Sequence, residues 1–223
     1  MSLTSTAGTE RTPALEAGVY TAVCTMVVDL GIQYNQTFNK STEQVKILWN
    51  VVGETVEING ETLPRQIGKD FTNSLNEKST LRKMLTSWRG KPFTADELKE
   101  FDLTKLLGAS CQLQLIHKEN ERGTFAVVDS IMQLPKGMEK PKAEKTVIFN
   151  MDDPATYGVY ETLPRYIQEK VSQAENFNST GLVLPPKNGN GNGNGNGGTS
   201  YSSYGAPPPA NFEEISSDDD LPF

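Results

Sequence analysis

The stretch SLNEKSTLRKMLTSWRG, residues 74–90, is where the hydrophobic period of the chain changes. Leu81, Met84, Leu85 and Trp88 stand at i, i+3, i+4 and i+7, the spacing that gathers apolar side chains on one face of a helix. Ser74-Leu75-Asn76-Glu77 has the form of a capping box and Gly90 offers a stop, so a helix is expected between them. Upstream the period is two. Tyr20, Ala22, Cys24, Met26, Val28 and Leu30 alternate as one apolar face of a first strand over Gly18 to Leu30. Val45 to Val52 reads as a second strand and Gln66 to Leu75 as a weaker third, with an Asn59-Gly60 turn signal between them. Downstream, Thr94-Ala95-Asp96-Glu97 forms a second capping box opening a short helix to Phe101. Gln112 to His117 and Thr124 to Ile131 return to strand character around a polar loop, Lys118 to Gly123.

Three strands, a helix and two strands is the chain order of an OB-fold. The expected class is therefore mainly β: a five-stranded Greek-key barrel with a helical insert between strands 3 and 4, plus a disordered C-terminal tail. A helical insert this long argues against an SH3-like or other small barrel, the nearest competitor. The chain divides into a polar tail (1–16), the barrel (17–135), a mixed extension expected to pack on it (136–180), a Gly/Asn/Pro linker (181–215) and an acidic tip (216–223). Tyr166 to Val171 looks helical within the extension.

The net charge of the 223 residues is −7, unfavourable for a nucleic-acid binder. Residues 181–223 hold one lysine against five acids, which leaves residues 1–180 at −3. Any site for a polyanion must then be a local basic stripe. OB-fold binders of single strands combine such a stripe with rings that stack on bases. The candidate rings are Tyr34, Phe38, Trp49 and Phe71, and the candidate cations are Lys40, Lys46, Arg65, Lys69, Lys118 and Arg122. Trp49 alternates in phase with Val45, Ile47 and Val51, and Phe71 shares a face with Ile67 and Lys69, so either ring reads equally as core. Trp88 lies on the apolar stripe of the helix and reads as core. Lys78, Arg82 and Lys83 read as a solvated helix face, while Arg89 and Lys91 flank Gly90 as phosphate-contact candidates.

Residues 185–211, with their Asn-Gly repeat and three prolines, have the composition of a flexible linker. Its root-mean-square reach is about 25–30 Å. It ends in Asp218-Asp219-Asp220-Leu221-Pro222-Phe223, where an apolar ring adjoins a carboxylate and three aspartates: a peptide suited to a pocket with a basic rim.

That hexapeptide resembles the Asp-Asp-Asp-Ile-Pro-Phe tip of bacterial-type single-stranded DNA-binding proteins, with Leu221 where Ile is usual. The body is similar to phage-encoded single-stranded DNA-binding proteins in Gly18-Val19-Tyr20, Val28-Asp29-Leu30-Gly31, Ser79-Thr80-Leu81-Arg82-Lys83, Ser87-Trp88-Arg89-Gly90, Phe101-Asp102-Leu103 and Leu163-Pro164-Arg165-Tyr166-Ile167-Gln168-Glu169-Lys170. The resemblance implies an OB-fold, binding without sequence preference, no catalysis, and a tip that docks replication, recombination or repair proteins. It also implies the cytoplasm of an infected bacterial host.

Chemistry-bearing motifs are sparse. His117 is the one imidazole and reads as an ordinary strand residue; no Cys/His metal spacing or phosphate-binding Gly-Lys-Ser/Thr loop occurs, and no cofactor is expected. Asp152-Asp153 before Pro154 reads as a turn, and Cys24 and Cys111 as buried thiols. No apolar run is long enough to span a bilayer. The expected function is protection of single-stranded DNA and recruitment of enzymes, with quenching of tryptophan fluorescence on binding. The alternative is a protein-interaction adaptor with secondary DNA affinity, which the acidic body favours. A single barrel per chain leaves edges through which a homo-oligomer could form.

Overall fold

The computed structural model describes residues 12–58, 60–121 and 123–181. The linker from residue 182 onward and the acidic tip lie outside this set, as does Arg122.

Five strands form a curled antiparallel sheet in the order β3-β2-β1-β4-β5: β1 (Gly18–Asn35), β2 (Lys40–Ile58), β3 (Glu61–Thr72), β4 (Ser110–Asn120) and β5 (Gly123–Met132). A short β6 (Val147–Phe149) joins β1 in parallel. The long β1 organises everything. Its first part, Gly18 to Val23, pairs with β4, and Met26 to Val28 pair with β6, while β2 runs along its other edge from Ala22 to Asn35. At the far edges β3 and β5 approach each other, where the Lys69 ammonium donates to Val128 O at 2.7 Å.

The change of partner along β1 coincides with a bulge between Cys24 and Met26. A bulge adds one residue and turns every following side chain to the other face. The single apolar face expected from Tyr20 to Leu30 is thus divided. Ala22, Cys24 and Val27 join the interior core, whereas Met26, Val28 and Leu30 enter a second core outside the sheet. The interior core contains Val45, Ile47, Trp49, Ile67, Phe71, Leu113 and Val128 and is closed by α1 (Thr80–Arg89) through Leu81, Met84, Leu85 and Trp88. The second is built by the extension. Phe149, Met151, Val159, Tyr160 and Leu163 cover the outside of β1 and β2 with Ile167 and Val171 of α2 (Arg165–Ser172).

The helix limits differ from the expected ones. The N-cap of α1 is Ser79, whose hydroxyl accepts from Arg82 N; Ser74 instead shapes the preceding turn by accepting from Asn76 N. Thr94 and Glu97 do exchange reciprocal capping bonds, at 3.3 and 2.7 Å, yet only one turn follows. The Glu97 carboxylate has a second task. It pairs with Arg89, whose buried guanidinium lies 4.4 Å from the Phe93 ring and 5.5 Å from Phe101. The Thr94 amide, then Arg89, hold the Glu97 carboxyl down to about 2, from an ordinary 4.5. With the folded value depressed, the tie contributes fully above about pH 4.5 and is lost as pH falls through 2. Glu97→Gln is expected to lower the melting temperature at pH 7 and to flatten its decline between pH 4.5 and 2. An acid limb identical to wild type would show that the pair does not hold this loop.

Candidate nucleic-acid interface

A groove of about 400 Å³ crosses the outer face of β2, β3 and β5, and a more open depression of about 300 Å³ continues it. The two share Lys46 and Gly68. The floor lies open at Gly68, an outward position of the edge strand β3 that carries no side chain between Lys46 and Leu48 of β2. A Cβ on Gly68 would stand 3.0 Å from Leu48 Cγ and 3.4 Å from Lys46 Cε, so any side chain there intrudes on its neighbours. One wall is the β2–β3 arm, carrying Val56, Ile58, Leu63 and Arg65; the opposite wall is the start of α2, with Arg165 and Tyr166.

Four of the cations expected from sequence line these depressions: Arg65 in the first, Lys69 and Lys118 in the second, and Lys46 in both. Lys46 pairs with Asp70 and lies 5.4 Å from the centre of the Tyr166 ring. Lys69 is held to β5 and its pKa is lowered, first by burial and then by Lys118, with Asp129 acting in the opposite sense. Arg65 donates to Pro13 O and His117 Nε2 bonds Leu15 O at 2.8 Å, so both pin the N-terminal segment along the groove. That task accounts for the lone histidine.

Three expected site residues are corrected. Trp49 is fully buried with its centroid 5.9 Å from that of Trp88, so no base can reach its face. Phe71 is buried beneath Lys69, whose ammonium lies 5.9 Å from the ring centre. Arg89 is buried in its pair with Glu97. In each case the residue sits in the inward phase of its element, and the core claimed it. Lys91 is exposed beyond the C-terminus of α1 and does not line the groove.

Tyr34, Phe38 and Lys40 lie apart from the groove, exposed at the tip of the β1–β2 hairpin. Tyr34 is 52% and Phe38 77% exposed. Asn39 stands at φ 47° and accepts from the Tyr34 hydroxyl, while Asn35 accepts from Phe38 N at 3.2 Å, so the tip is a formed turn presenting two rings. Six residues of β2 separate Lys40 from Lys46, roughly 20 Å of strand.

Sequence reasoning missed Phe125, Tyr166, Arg165 and Lys170. Phe125 was detectable: it falls on the outward phase of β5, out of step with Ala126 and Val128, and it is 38% exposed. Tyr166 and Lys170 carried no such signal, because nothing local to α2 says which sheet it packs against.

Among the described residues no group of three or more His, Cys, Asp or Glu side chains could hold a metal ion, and no helix is long and apolar enough to cross a membrane. The Cys24 and Cys111 thiols are buried and pushed well up in pKa by that burial, which leaves them unreactive. No known family model matches the chain, and no curated protein matches its sequence.

Proposed function

We propose that this protein binds single-stranded DNA without sequence preference and recruits replication, recombination or repair proteins through Asp218 to Phe223. One observation carries the reading: Lys46, Arg65, Lys69 and Lys118 converge on one groove with the exposed ring of Phe125 and the half-buried ring of Tyr166, in a chain whose net charge is −7. Cations that track a backbone and rings that accept any base are what non-specific single-strand binding requires. The order β3-β2-β1-β4-β5, with β3 nearing β5, supports an OB-type barrel in which β2 and β3 carry the ligand. The likeness to phage-encoded single-stranded DNA-binding proteins supports the same reading and a place in an infected bacterial cytoplasm.

The test is a titration of labelled oligothymidine at two salt concentrations, followed by anisotropy. Tryptophan quenching is the wrong signal, since both Trp49 and Trp88 are buried. Affinity should fall steeply between 50 and 200 mM salt, with little binding to duplex. Weak, salt-insensitive binding would overturn the reading in favour of a protein adaptor, which the acidic body supports. Deleting residues 218–223 should abolish enzyme recruitment and leave strand affinity equal or higher. Loss of strand binding on this deletion would contradict the assignment of the tip to protein partners.

A further inference from the structure

The lysines of the groove surround a carboxylate that none of the expected contacts explains. Asp70 points outward from β3 beside Gly68 and lines the same depression as Lys46, Lys69 and Lys118. Its two oxygens are taken separately: Oδ1 by Lys46 from β2, and Oδ2 by Lys170 from α2 at 2.6 Å. The side chains of Asp70 and Lys170 both remain 32% exposed. Lys46 is in turn held over the Tyr166 ring, covering a face on which a base could stack. A second carboxylate, Asp129 on β5, acts on Lys69.

We propose that Asp70 is a built-in stand-in for a nucleic-acid phosphate: it occupies the Lys46–Lys170 anion site in the free protein and yields it to a backbone phosphate of the bound strand. This rests on the single-strand reading and extends it by adding Lys170 to the site and giving Asp70 a gating role. A carboxylate bridging two ammonium groups has the charge and donor geometry that a phosphate oxygen pair would meet. The Lys170 arm of the bridge is partly exposed and weak, whereas the Lys46 side chain is only 12% exposed, so the Lys170 arm opens first and a phosphate held also by Lys69 and Lys118 then competes with the carboxylate for Lys46. Release of Lys46 from Asp70 also uncovers Tyr166, coupling phosphate capture to stacking. The gate favours a continuous strand over isolated anions, because only a strand brings a phosphate and a base together.

The experiment compares full-length wild type with Asp70→Asn, an isosteric change that removes the charge and keeps one of the two acceptor oxygens. Oligothymidine and inorganic tripolyphosphate are titrated separately at several salt concentrations. Asp70→Asn is expected to bind oligothymidine about tenfold more tightly at low salt. The plot of log affinity against log salt should steepen by about 0.7, the contribution of one phosphate whose site no longer carries the Asp70 charge. Tripolyphosphate affinity should gain by a similar factor. Affinity that stays equal or falls, with an unchanged slope, would overturn the proposal and make Asp70 a brace for its lysines. Lys170→Gln gives a second reading even if Asp70→Asn folds poorly. It should weaken oligothymidine binding severalfold and flatten the slope, and an unaltered slope would overturn the proposal. The tripolyphosphate titration separates the two ideas: if wild type ignores oligothymidine yet Asp70→Asn still gains tripolyphosphate affinity, the single-strand reading fails and the gate stands.

Discussion

Replacing Phe125 and Tyr166 together by alanine is expected to lower oligothymidine affinity by at least about thirtyfold while the protein stays folded. Ring-to-alanine substitutions at stacking positions cost about 1–3 kcal/mol per base, so two rings cost at least about 2 kcal/mol, and each 1.4 kcal/mol is tenfold. The two rings reach the groove from elements far apart in sequence: Phe125 from β5, opposite Lys118 on β4, and Tyr166 from α2, beneath Lys46. Neither is a main support of a core. Phe125 is absent from both buried clusters, and Tyr166 only packs against the edge of the second. Trp49→Phe is the matching control. Its indole N–H is buried without a partner, so removing it breaks no hydrogen bond, and strand affinity should not change. Equal loss from Trp49→Phe and from the double variant would mean that affinity follows general barrel integrity and that no base rests on the outer rings.

The contrast between Trp49 and Phe125 shows what the sequence could and could not reveal. Period-two alternation separates inward from outward positions without help from tertiary structure. By that rule Trp49, in step with Val45, Ile47 and Val51, belonged inside, and Phe125, out of step with Ala126 and Val128, belonged outside. The same rule fails where a bulge intervenes. Met26, Val28 and Leu30 continue the phase of Ala22 and Cys24 in the sequence but face the opposite side, because the bulge after Cys24 leaves no mark in composition. The hairpin of β2 and β3 was underestimated for a related reason. Its pairing resumes from Thr55↔Pro64 to Ile58↔Glu61 beyond an irregularity containing Gly53 at φ 80°, and a glycine followed by polar Glu54 and Thr55 looks like the end of a strand. That extra length is the arm which walls the groove. Strand existence and the strand–strand–strand–helix–strand–strand order were legible from period alone. Of the extension only the helix at Tyr166 to Val171 was legible, since its other core residues come from β6 and a 3-10 stretch at Pro154–Thr162 that display no period.

The extension also decides the second large effect, expected at Gly31. The backbone there has φ 67°, in the left-handed region, at a register shift of β1 between Asp29 and Gly31. The extension closes over this point. Asn176 Oδ1 accepts from Ile32 N at 2.9 Å, Glu175 N donates to Ile32 O at 2.9 Å, and Met151 N donates to Asp29 Oδ2 at 3.2 Å. A Cβ at residue 31 would lie 2.5 Å from Asn176 Oδ1, 2.7 Å from Ala174 Cβ and 2.8 Å from Met151 Cε. Gly31→Ala therefore meets two penalties: about 1–2 kcal/mol for a left-handed non-glycine residue, and displacement of three extension residues at once. Together these should remove about 2–4 kcal/mol of stability, a loss in the range of severe single substitutions. The consequence reaches the groove. Gln33, two residues on, donates to Lys170 O at 2.9 Å, so the β1 segment that would shift also anchors the helix carrying Tyr166 and Lys170. Loosening it should speed tryptic cleavage after Lys142 and Lys145 and lower oligothymidine affinity at temperatures where the barrel is still folded. Asn176→Ala, which removes one hydrogen bond and leaves φ unstrained, should show a smaller loss of both. If Gly31→Ala melts earlier yet binds as tightly as wild type, the extension only supports the barrel, and the wall of the groove formed by α2 does not contact the strand.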